Sequence, residues 1–206
     1  MDIRSPESVL GDADLGPRLT PIDCYALVDQ PDRHLLDGYA AVVIPAMVDQ
    51  EHLAAHPGVI RRYLDGGGVV VFGGHLHRDW LPGASPFVPL EARSHRDYEV
   101  AWVADHPIFA GVNPSDLTYR RGIAGFLARG HHPLPDGAEV LVRLAGGQPV
   151  TYLDRRSTAG TVLVQSSGDM LGYYGLDSTT ARIPRQLLDW IGTEAKAVRA
   201  RVEAAR

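Results

Sequence analysis

Cysteine is almost absent: Cys24 is the only one in 206 residues. An internal disulfide is thereby excluded, as is a zinc site built from several thiolates. The thiol is expected to act as a small buried hydrophobe. Long apolar runs are missing too. Stretches such as Tyr39 to Ile44 and Val69 to Phe72 fall far short of the roughly 20 residues that span a bilayer, so no membrane is expected as a partner. Positive charge is not in excess. The formal net charge of −5 leaves no basic stripe for a phosphate backbone, and nucleic acid is not an expected partner either. The start, Met1-Asp2-Ile3-Arg4-Ser5-Pro6-Glu7, lacks the apolar core of a signal peptide; a cytoplasmic location is expected. What is present, 45% hydrophobic and 22% charged residues, suits one ordinary globular domain with a large core.

Organisation follows from periodicity and punctuation. Residues 1–21, rich in Asp, Gly and Pro, read as an irregular arm. Ile22 to Leu27 alternates weakly, as a strand would, before the turn-forming Asp29-Gln30-Pro31-Asp32. Tyr39 to Ile44 is apolar on both faces, as in parallel strands covered by helices on each side. Asp49-Gln50-Glu51 opens a helix whose stripe (Leu53, Val59, Ile60, Tyr63, Leu64) is interrupted at Pro57 and stopped by Gly66-Gly67-Gly68. A strand from Gly68 to Phe72 completes a β-α-β unit. The glycine triplet precedes a strand, whereas a phosphate cradle follows one, so its role is helix termination. Further strands are expected at Tyr98 to Val103, Glu139 to Leu144, Pro149 to Leu153 and Gly160 to Gln165. The links 145–148 and 155–160 are short enough for hairpins, which makes the later sheet mixed. A closing helix from about Thr180 packs through Ile183, Leu187, Leu188, Trp190 and Ile191; its 193–206 tail is solvated or meets a partner.

Ligands in open α/β sheets bind beyond the carboxyl ends of the strands. Two turns fall there: Gly73-Gly74-His75-Leu76-His77 and Gln165-Ser166-Ser167-Gly168-Asp169. His75 and Asp169 are the candidate catalytic residues, an imidazole and a carboxylate able to exchange protons; alternatively Asp169 caps a turn. His75 and His77, two apart on an extended segment, would face the same way and share a divalent metal. A third ligand would come from Asp79, Asp105, His106, His131, His132 or Asp169. Otherwise the two are loop residues bonded to backbone. Met47, Gly74, His77, Trp80 and Tyr173 are the candidate ligand-binding residues, the aromatics as stacking faces for sugars or as core. His106-Pro107 and His132-Pro133 read as turn chemistry. Arg120-Arg121 is either an anion site or a solvated pair.

The order Gly38-Tyr39-Ala40-Ala41-Val42-Val43-Ile44-Pro45, then Tyr63-Leu64-Asp65-Gly66-Gly67-Gly68-Val69-Val70-Val71-Phe72-Gly73-Gly74-His75, then Asp105-His106-Pro107-Ile108-Phe109-Ala110-Gly111 resembles the class I glutamine amidotransferase-like superfamily, within it the trehalose-utilisation (ThuA-like) branch. Gly160-Thr161-Val162-Leu163-Val164 and the closing helix fit the same pattern, over residues 22–192. The resemblance implies a flavodoxin-like three-layer sandwich with a mainly parallel central sheet. Two departures matter. The turn where amidotransferases place a cysteine carries His75, which excludes glutamine hydrolysis by that mechanism. The first strand and helix are not evident in residues 1–21, so the fold is expected to be trimmed there, with late antiparallel strands and an edge that a homodimer or protein partner would cover. The resulting expectation is a binding or accessory protein for a small polar molecule such as a sugar derivative. The alternative is an enzyme of carbohydrate metabolism using His75 and Asp169, metal-assisted or not.

Overall fold

The computed structural model describes residues 7–30, 34–119 and 127–205. Arg120, Arg121 and residues 1–6 of the arm lie outside the described residues. The described part of the arm contains α1 (Glu7–Leu10) and a 3-10 turn, Gly16–Arg18. The sheet begins with β1 (Val42–Ile44), followed by α2 (Gln50–Ala55), α3 (Pro57–Asp65) and β2 (Val69–Gly73). After β3 (Val88–Pro89) come β4 (Val100–Val103), α4 (Pro114–Thr118), β5 (Gly130–His131), β6 (Glu139–Leu144), β7 (Pro149–Asp154), β8 (Thr161–Gln165) and α5 (Ile183–Ala204).

The strand order is β1-β2-β8-β7-β6-β4, with β3 and β5 forming a separate antiparallel pair. β1, β2 and β8 are mutually parallel neighbours; β8-β7, β7-β6 and β6-β4 are antiparallel. Four of the six strands of this sheet therefore point one way, an α/β architecture with a mixed sheet consistent with a flavodoxin-like sandwich. Both short links expected to be hairpins are hairpins. β1 is an edge, and no strand among the described residues precedes it.

Alternation divides the central strands between two cores. Val69, Val71 and Leu163 join a cluster with Leu187, Ile191 and Val198 of α5. Val70, Phe72 and Val164 join another with Leu53, Ile60, Tyr63 and Leu64 of α2 and α3. Each fully buried side chain of this size contributes about 1.5–3 kcal/mol of burial energy. Pro57 splits the helical stripe as expected: it restarts the helix at the first turn of α3, where its missing N–H costs nothing. The glycine triplet ends α3, with Gly67 at φ 88° and the Gly67 and Gly68 N–H groups bonded to the Leu64 and Tyr63 carbonyls, a Schellman cap.

Four expectations are corrected. Ile22 to Leu27 is no strand; Asp23 accepts a hydrogen bond from the Tyr25 N–H (3.0 Å) and nucleates a 3-10 turn, Cys24–Ala26, a local competitor to sheet pairing. β1 starts at Val42 rather than Tyr39, because the Tyr39 carbonyl is taken by the Tyr63 hydroxyl (3.2 Å). β4 starts at Val100 because His95–Tyr98 forms a 3-10 turn closed by a Ser94–Asp97 capping box. The last helix starts at Ile183 after a 3-10 turn, Thr179–Arg182, and one face of its second half is buried through Glu194, Ala195 and Val198. No described helix is long and apolar enough to cross a membrane.

Candidate functional site

The carboxyl ends of β1, β2 and β8 lie side by side, and two distinct environments form there. The first is a polar clamp on the turn after β2. Gln50, in the first turn of α2 and 2% exposed, donates from Nε2 to the His75 carbonyl (2.8 Å). Its Oε1 accepts from the His77 N–H (3.0 Å) and from the Trp80 indole N–H (3.2 Å). One amide side chain thus satisfies three groups that would otherwise be stranded near the core. Gly74, at φ 155°, lets this turn press against Ala46: a Cβ there would stand 2.8 Å from the Ala46 Cα. The Gly74 N–H bonds to the Gln165 carbonyl of β8.

Beneath the turn lies His132, with no solvent exposure. Its Nε2 accepts from the Leu76 N–H (3.1 Å), and its Nδ1 lies 2.8 Å from the Ser166 Oγ. Burial, with the neighbouring His75 and His131, pushes its pKa down to about 4. Phe87 stands edge-on to it and stacks flat on His75, with ring centres 3.7 Å apart. Partial desolvation lowers the His75 pKa as well.

The second environment is a cavity of about 330 Å³ between the arm and the sheet edge. Leu10 and Leu19 of the arm, Ile22 just after it, Ala41 and Val43 at β1, and Leu171 make its wall mostly apolar, and Asp169 opens onto it. The arm is strapped in place by Tyr174 donating to Asp12 (2.5 Å), Arg18 to Asp189 (2.7 Å) and Arg185 to Asp14 (2.9 Å). Asp169 caps the 3-10 turn Met170–Tyr173, its Oδ1 accepting from the Leu171 N–H (2.9 Å). Burial holds its carboxyl above the usual range.

Among the described residues no hydrogen bond or ion pair joins His75 to Asp169, since one lies on Phe87 and the other in the cavity wall. His75 and His77 are exposed residues, and no described group of three or more His, Cys, Asp or Glu is placed to hold a metal. Of the third-ligand candidates, Asp79 and Asp105 are exposed, His131 is half-buried in β5, and His106 is buried and caps Pro107–Phe109 by accepting from the Ile108 N–H (3.3 Å). Trp80 (2% exposed) packs edge-on to Phe72 and Tyr173 (1%) is also core, so neither offers a face to a ligand; Met47 is 93% exposed. Gln50 and Ser166 were not legible as partners: only the neighbouring helix start at Asp49 hinted at Gln50.

No family model, curated protein or solved structure matches this chain. The resemblance to the amidotransferase-like superfamily accordingly rests on the order of its sequence motifs alone.

Proposed function

We propose that this protein binds a small, largely apolar molecule in the cavity between the arm and β1, acting as a binding or accessory protein rather than an amidotransferase. The observation that supports this reading is the cavity itself. About 330 Å³ with a mainly aliphatic wall lies at the lower end of the roughly 300–1,000 Å³ typical of small-molecule sites, which are predominantly apolar with a few placed polar groups. Such a wall suits an apolar molecule better than the sugar derivative implied by the resemblance, because each buried sugar hydroxyl needs a hydrogen-bonding partner.

The test uses 1-aminoanthracene, a neutral apolar fluorophore. Saturable enhancement at one equivalent per chain, lost in Leu19→Trp while circular dichroism and thermal unfolding stay native, is the expected result. No enhancement with the unmodified protein, or equal binding by the variant, overturns the reading.

A further inference from the structure

The one acidic side chain in the described wall of the cavity has an unused oxygen. Asp169 spends Oδ1 on the Leu171 N–H, while Oδ2 makes no hydrogen bond among the described residues. The residue is half-buried and shares the cavity wall with Leu171, Ile44 and Pro45. A carboxylate partly removed from water without its full set of donors is unfavourable, and a charged donor restores more of the lost solvation than a neutral one. Arg18, the cation in the same wall, does not supply it: its guanidinium is held by Asp189 at 2.7 Å.

Resting on the cavity-binding reading above, we infer that the ligand class is a compact apolar molecule bearing a primary ammonium group, seated with its chain among the aliphatic wall residues and its ammonium on Asp169 Oδ2. Three features converge on this class. The volume limits the apolar part to a short chain or a compact ring system no larger than the fluorophore. The aliphatic wall provides no other acidic partner among the described residues. An anionic head would be repelled by Asp169, and a hydroxyl would supply a donor without the compensating charge. The elevated carboxyl pKa, caused by burial, agrees with a group whose charged form awaits a cation.

Calorimetric titration of the full chain with n-octylamine, 1-octanol and octanoate at neutral pH tests the assignment, together with Asp169→Asn. Octylamine is expected to bind about 10- to 100-fold more tightly than octanol, the span of a charge-assisted hydrogen bond, and octanoate more weakly than either. In Asp169→Asn the amine should fall to within about threefold of the alcohol while the alcohol's affinity is unchanged. Equal binding of amine and alcohol by the unmodified protein overturns the ligand class but leaves the cavity reading standing. So does an amine preference that survives in the variant. Failure of all three probes, together with failure of 1-aminoanthracene, overturns both. The comparison within the unmodified protein needs no variant, so misfolding of Asp169→Asn cannot mask the answer.

Discussion

His132 Nδ1 and Ser166 Oγ are 2.8 Å apart, between two side chains with no solvent exposure. A serine and a histidine in contact at the carboxyl end of a strand have the outline of a nucleophile and its base. The protons are arranged otherwise. Because Nε2 accepts from the Leu76 N–H, the neutral ring carries its hydrogen on Nδ1 and donates it to Ser166. A base must present a lone pair to the hydroxyl it activates, and this nitrogen presents a proton. The pair is a structural tie between β8 and the turn after β2.

The burial of this histidine makes stability depend on pH. His132 has a pKa of about 4 in the fold and about 6.5 when unfolded. Between these values the unfolded chain binds more protons, so stability falls as pH drops from about 6.5 to 4, by on the order of 3 kcal/mol from this residue. His75 and His106, also lowered by burial, act in the same direction. In urea unfolding, His132→Gln is expected to lose about 1–3 kcal/mol at pH 7 through stranded partners and to show a flatter slope across that window. An unchanged slope would contradict the assignment.

Asp169 shifts the opposite way. Its folded pKa is raised, so the folded state binds the proton more readily and the penalty of the ionised form appears as pH rises through that value. Asp169→Asn keeps an acceptor for the Leu171 N–H and removes the penalty. Its melting temperature should exceed that of the parent at pH 7 and match it near pH 3, a gain of the kind left behind when a buried charge is retained for binding.

Gln50 provides a third check. Gln50→Ala removes the partner of the His77 N–H, the Trp80 indole and the His75 carbonyl at once, with an expected loss of about 1–3 kcal/mol. Hydrogen exchange at the Trp80 indole and the His77 amide should accelerate far more than exchange in α5.

Glu194 is 8% exposed and accepts from Arg155 (2.7 and 3.0 Å) and from the Thr161 hydroxyl (2.7 Å). Removing one partner of a buried pair costs about 3–5 kcal/mol. Arg155 is 28% exposed and retains Glu139 (2.6 Å), so Glu194→Ala should cost less, about 2–3 kcal/mol by the same scale. Adding Arg155→Ala should recover part of the loss; strictly additive losses would show that the ion pair is not coupled.

Local rules in the chain determined the β-α-β core: the two-sided apolar run at Val69 to Phe72, the restart at Pro57, the glycine stop at 66–68 and the two hairpin links all act over a few residues, where sterics and burial leave little choice. The same rules placed His75 and Asp169 at strand carboxyl ends. Only the tertiary structure decided what those residues face. Phe87 stacks on one face of His75, Gln50 holds the turn around it, Ser166 meets a histidine 34 positions away, and the arm closes a cavity over β1 and Asp169. Contacts between residues so distant in sequence depend on how whole elements pack, and no spacing along the chain encodes them. Tyr39 to Ala41 shows the converse limit: strand-like by composition, these residues lost their place in the sheet because β1 is an edge and the Tyr63 hydroxyl took the carbonyl of Tyr39.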